Sequence, residues 1–215
     1  MSRTRTTVLT VLLGVTALTS CSSGSGEETG TGKPITKQLA QGDITQALPG
    51  NGEMPKGWSL HHDKGVSESG EYCSGGQGER EKSPKGWTRG GSTSYEFNGS
   101  TDNMMYVQIC QFDSPEDAKN AYASWKRGKG DNDQTEQATK SKVGEESAVI
   151  LREPSAYAYS RTGTVNIEVR VEESKGDTTG VEDTLAAIVK RLQQVQDGKR
   201  ATDTAADEAA KANKK

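Results

Sequence analysis

The chain predicts an α+β domain: an antiparallel β-sheet with helices packed on one face, in the rough order α-ββα-βββα. Three observations predict it. Residues 164–172 alternate strictly, with Val165, Ile167, Val169 and Val171 against Asn166, Glu168, Arg170 and Glu172, the period of a strand with one buried face. Ala118, Ala121, Tyr122 and Trp125, and later Leu185, Ile188, Val189, Leu192 and Val195, fall at helical spacing. The links between successive strands are short, which favours antiparallel neighbours.

Taken in order, Ile44, Ala47 and Leu48, behind Asp43 as N-cap and ahead of Pro49, predict a short helix. A strand is expected from Trp58. Ser92–Phe97 and Met104–Phe112 read as a hairpin around the turn-rich run 98–103, with Met105, Val107 and Ile109 facing one way and Tyr106, Gln108, Cys110 and Phe112 the other. Ser114-Pro115-Glu116-Asp117 opens a helix with a capping Ser, Pro at the first position and acids beside the positive end of the dipole. Lys129–Lys142 reads as a polar loop. Ser147–Leu151, Ala156–Ser160 and Thr164–Glu172 follow as strands, and Thr179 begins a last helix that stops before Asp197-Gly198.

Composition narrows the function. With 27 Lys+Arg against 30 Asp+Glu and 5% aromatics, the chain lacks the basic face that nucleic acid requires. Hydrophobic residues make up 30% of 215, enough for one core rather than two. The one long apolar run, Val8–Leu18, has eleven residues, short of the about 20 that span a bilayer as a helix.

That run follows Arg3 and Arg5 and leads into Leu18-Thr19-Ser20-Cys21, the order of an export signal. The tetrapeptide resembles the lipobox of bacterial lipoproteins. The resemblance implies cleavage before Cys21 and a diacylglycerol on its thiol, so that the partner of residue 21 is the membrane. Several acyl chains on one residue hold a protein without a membrane-spanning helix. Residues 1–20 are then a signal peptide, and 21–34, rich in Gly and Ser, a flexible tether. Residues 35–197 form the α+β domain, and 198–215, which lack an apolar stripe, a disordered or weakly helical tail that packs on nothing. Cys73 and Cys110 remain as a pair in an oxidising compartment, and a disulfide between them is the simple expectation.

Motifs for chemistry are sparse. His61 and His62, the two histidines, are adjacent, and adjacent strand residues point to opposite faces, so one metal ion is not expected between them. No nucleophile elbow or phosphate loop is present, so no catalytic residue, metal or cofactor is assigned. The unusual feature is a repeat, Pro55-Lys56-Gly57-Trp58 and Pro84-Lys85-Gly86-Trp87. Pro at i+1 and Gly at i+3 suit a type I turn that hands Trp to the next segment. One reading makes these two turns that each seat a core Trp. The other makes Trp58 and Trp87, with Tyr95 or Tyr106, the walls of a ligand pocket edged by the loop 63–91, which holds eight glycines in 29 residues.

The runs Ala47-Leu48-Pro49 to Trp58, Phe112-Asp113-Ser114-Pro115-Glu116-Asp117-Ala118, Val143-Gly144-Glu145-Glu146-Ser147 and the Val165–Val171 alternation resemble actinobacterial surface lipoproteins. More loosely they resemble the extracellular sensor domains of actinobacterial membrane Ser/Thr kinases. The resemblance spans about residues 35–196. It implies an α+β domain outside the membrane that binds a small molecule, an envelope component or a protein in a cleft, and no catalytic residue. The competing reading is an envelope hydrolase or metal-dependent enzyme using His61 or His62.

Overall fold

The computed structural model describes residues 32–73, 83–127, 135–139, 142–174 and 179–212. Seven strands form one antiparallel sheet: β1 (Trp58–Ser67), β2 (Trp87–Phe97), β3 (Ser100–Phe112), β4 (Thr135–Gln137), β5 (Glu146–Arg152), β6 (Ser155–Thr162) and β7 (Val165–Val171), in the spatial order β1-β2-β3-β7-β6-β5-β4. The helices are α1 (Gln41–Ala47), α2 (Pro115–Arg127), α3 (Thr179–Gln196) and α4 (Ala205–Ala212). The expected α+β class and antiparallel sheet are present. Helices on one face describes α1, α3 and α4. Helix α2 packs on the opposite face, against β3, β6 and β7.

The one core expected from composition is divided by the sheet into two apolar clusters, one on each face. On the first, Met105, Val107 and Ile109 of β3 and Val165, Ile167 and Val169 of β7 meet Ile44 and Leu48 of the α1 end and Leu185, Ile188 and Leu192 of α3. Each fully buried aliphatic side chain contributes about 1.5–3 kcal/mol. On the second, Ala118, Ala121, Tyr122 and Trp125 of α2 cover Phe112, Ile150 and Tyr159, beside the Cys73–Cys110 disulfide. The second face of β7 is therefore wet only in part, covered by α2 at Asn166 and open toward Arg170. Asn166 is fully buried and donates from Nδ2 to the Ala118 carbonyl at 2.8 Å, and Glu168 is half-buried.

Several local expectations are corrected. The hairpin turn is the two-residue Asn98-Gly99, with φ of 52° and 75°, rather than a six-residue loop. Positive φ at both positions matches the twist of the flanking strands, and β3 begins at Ser100 rather than Met104. Asp43 is not the cap of α1; the cap is Ala40, whose N–H donates to the Asp43 carboxylate at 2.9 Å. The polar run 129–142 contains β4, which pairs with β5. Nor do residues 198–212 lack packing. Ala201 and Ala205 are buried in the first core, the Ala205 N–H donates to the Glu53 carbonyl at 2.9 Å, and Lys190 of α3 holds Glu208 at 2.7 Å. Alanines are small enough to sit directly on α3, so a seam without large apolar residues suffices. The Gly-rich character of 63–91 partly reflects close packing rather than looseness. Gly90 and Gly91 lie within β2, and a Cβ on Gly91 would stand 3.0 Å from Ile44.

Both Pro-Lys-Gly-Trp repeats form the same turn. The Trp58 N–H donates to the Pro55 carbonyl and the Trp87 N–H to the Pro84 carbonyl, at 3.2 and 3.1 Å, with Gly57 and Gly86 at φ of 96° and 73°. Pro thus occupies i and Gly i+2, the pattern of a type II turn rather than type I. Each glycine carbonyl then accepts from the residue after a neighbouring strand, Asn98 N–H at Gly57 and Asp113 N–H at Gly86, both at 2.7 Å.

Candidate functional site

Strand register lays the second face of the sheet out in rows. His62 faces Ser94, Ser94 faces Tyr106, Tyr106 faces Arg170 and Arg170 faces Tyr157. One row along, Gly65, Ser92, Gln108, Glu168 and Tyr159 follow one another. The next row contains Ser67, Gly90, Cys110 and Asn166. Helix α2 and the disulfide cover Cys110, Asn166 and Tyr159. The remainder, over β1, β2, β3 and β7, forms among the described residues a cleft of about 460 Å3 lined by His62, Ser92, Tyr106, Gln108, Glu168 and Arg170, among others.

Several lining groups are held. The Arg170 guanidinium stacks over the Tyr106 ring at 4.4 Å and contacts Glu172 at 3.2 Å. Gln108 donates to Ser67 Oγ at 3.0 Å. Burial drives the Glu168 carboxyl up to about 7, against the smaller opposing fields of Arg170 and Arg152. Tyr72, 71% exposed, also lines the cleft. It sits in a 3-10 turn, Glu71–Cys73, whose last residue is pinned to β3 by the disulfide, with Cα atoms 5.9 Å apart. Cys110 lies two residues from Gln108 on the same face, so the covalent bond places Tyr72 beside the cleft.

The four aromatic residues expected to wall one pocket do not meet. Tyr95 is fully buried on the first face, its hydroxyl donating to the Pro49 carbonyl at 2.8 Å. Trp58 packs against that same core and Phe97. Trp87 packs against the disulfide cluster and Gly70 on the other face. Tyr106 alone of the four lines the cleft. Strand alternation separates residues 95 and 106 from one another, and the two tryptophans start different strands. Tyr72, Gln108, Glu168 and Arg170, which line the cleft, are not among the residues the sequence singles out. The signal was the pairing of two alternating strands, β3 and β7, whose second faces both carry polar groups.

The histidines also depart from expectation. A bulge between Leu60 and His62 turns both toward the same side, ring centroids 4.2 Å apart, with His61 Nδ1 3.0 Å from Glu96 Oε2 and His62 Nδ1 3.1 Å from Ser94 Oγ. No group of three or more His, Cys, Asp or Glu side chains suited to a metal ion occurs among the described residues. Cys21 and the signal and tether residues up to 31 lie outside the described residues. Among those described, no helix is long and apolar enough to cross a membrane.

No family model and no curated protein matches the chain. Among solved structures it is similar to the extracellular domain of PknH from Mycobacterium tuberculosis, at 14% identity, covering 73% of this chain and 98% of that one with a TM-score of 0.49. A likeness that distant carries no argument about what the cleft does.

Proposed function

We propose that this protein is an extracytoplasmic lipoprotein, held to the outer side of the cell membrane by a lipid on Cys21, whose domain binds a ligand in the second-face cleft without transforming it. The observation that carries the reading is the cleft itself. Polar and aromatic side chains from four strands converge there around a desolvated carboxyl, Glu168, on a rigid sheet. The joined Cys73–Cys110 pair supports an oxidising location, and the sequence 18–21 supports the anchor.

The hydrolase alternative rests on the His62–Ser94 contact in the cleft. A nucleophilic serine needs its histidine oriented by a third group. Among the described residues no carboxylate hydrogen-bonds to His62, and cross-strand register alone places the pair together. Native mass spectrometry of the protein released from its own membranes tests the proposal. It expects the mass of a processed chain with lipid on Cys21, a closed disulfide and a retained ligand. An unprocessed chain with free thiols sinks the location. Turnover abolished by Ser94→Ala, with folding intact, establishes the hydrolase instead.

A further inference from the structure

Resting on the reading of the cleft as a binding site, we infer that its ligand is a neutral, hydroxyl-rich molecule, a saccharide segment laid across the rows of β2 and β3 with one ring against Tyr72. The lining charges exclude the alternatives. Asp63 and Glu168 carry acids and Arg170 a base within one cleft. An anion would meet Asp63, and Arg170 is already engaged by Glu172 at 3.2 Å. A cation would meet Arg170, and Arg152, whose field reaches Glu168. An apolar ligand would strip water from all of them and return no hydrogen bonds.

A molecule whose every substituent both donates and accepts meets no such penalty, and the lining is built for it. Ser92 presents a short hydroxyl, Gln108 the acceptor oxygen of an amide whose Nε2 is held by Ser67, and Glu168 a carboxyl that, near pH 7, is both donor and acceptor in part of the molecules. Strand geometry sets these groups on a grid of about 5 Å across strands and about 7 Å along them, the scale of one sugar ring.

Tyr72 supplies the second half of saccharide chemistry. Tyr72 and Val66 are the large apolar side chains left exposed among the described residues, and Tyr72 stands at the margin of this polar cleft. Sugar rings are polar at the edge and apolar on the face, so an exposed aromatic ring beside hydroxyl-matching groups suits them. The cleft volume of about 460 Å3 lies in the range of small-molecule sites.

Calorimetric titration of the full mature chain in a non-glycosidic detergent tests this, with chitotriose, maltotriose and α-1,6-mannotriose as saccharide probes and choline and inorganic phosphate as charged ones. At least one trisaccharide is expected to saturate a single site. Gln108→Ala and Tyr72→Ala should each weaken it roughly five- to tenfold, with unchanged unfolding midpoints. Saturation by none of the three, or binding indifferent to both substitutions, overturns the inference. Saturation by choline or phosphate instead, abolished by Glu168→Gln or Arg170→Ala, overturns the saccharide while leaving a ligand-binding cleft. A cleft that binds none of the probes, in a protein that retains no ligand from its own membranes, defeats both.

Discussion

Arg191 of α3, 2% exposed, holds the carboxylate of Glu53 at 3.0 Å. The same guanidinium donates to the carbonyls of Gln46, Ala47 and Leu48 at the end of α1, and to Asp203 before α4. One buried cation thus caps a short helix and joins three segments far apart in sequence. Arg191→Met would leave four carbonyls and a carboxylate without their donor, at a cost on the order of 3–5 kcal/mol. Arg191→Lys, a single point charge without the planar fork, should recover only part of it. Urea unfolding of the three proteins measures this; equal midpoints would mean the clamp is idle.

The disulfide closes a 37-residue separation. In the chain-entropy model its removal costs roughly 3–4 kcal/mol. Cys73→Ser with Cys110→Ser should lower the thermal midpoint accordingly and raise the protease sensitivity of the chain around Tyr72. Unchanged cleavage near Tyr72 would show that packing of Trp87 on Gly70 holds the turn without the bond.

Glu168 has a folded-state value of about 7 against an ordinary 4.5, so the folded protein binds more protons than the unfolded one between those pH values. Stability therefore falls as pH rises through that window and levels off above it. The groups facing Glu168 are Gln108 and Tyr159 across the strands, with Arg170 and Arg152 nearby. Glu168→Gln, which cannot ionise, should be more stable than the parent at pH 8 by on the order of 1–3 kcal/mol and equal to it near pH 4. Parallel stability curves for the two proteins across pH would refute the burial argument.

Glycines at positive φ differ in what surrounds them. Ala at Gly86, φ 73°, would bring a Cβ within 2.6 Å of Asp117, whereas at Gly99, φ 75°, it meets nothing within 4 Å. Gly99→Ala should cost about 1–2 kcal/mol for backbone conformation alone, and Gly86→Ala more. Denaturant titration ranks them, and the reverse order would contradict the turn geometry.

Cys21→Ala should move the protein from the membrane fraction to the medium without altering its fold. A variant still cut before residue 21 and retained in the membrane fraction would remove the anchor proposal.

Long periodic elements were legible. Residues 115–127 and 179–196 are helices because an apolar stripe coincides with a capping or stop signal, and β7 follows its alternation almost residue for residue. Periodicity does not reveal what covers a second face. The polar residues of β7 looked solvated, yet α2, carried over by the chain after β3, lies across Asn166. The long strands β1 and β2 were obscured by glycines that read as loop but permit close packing at Gly91. The site stayed hidden for a related reason. It is assembled from two or three residues on each of four strands, with Tyr72 from a turn, and conspicuous tryptophans point instead to turns that start strands.

At the N-terminal side, Gln196 accepts from the N–H groups of Thr36 and Lys37, and the Thr164 N–H donates to the Ile35 carbonyl. Residues 35–37 are therefore tied beside the start of β7, while Arg170 lies near that strand's other end, roughly 16 Å away along it. Under the proposed anchoring, a pull through the N-terminus reaches the sheet at this stitched corner before it reaches the cleft.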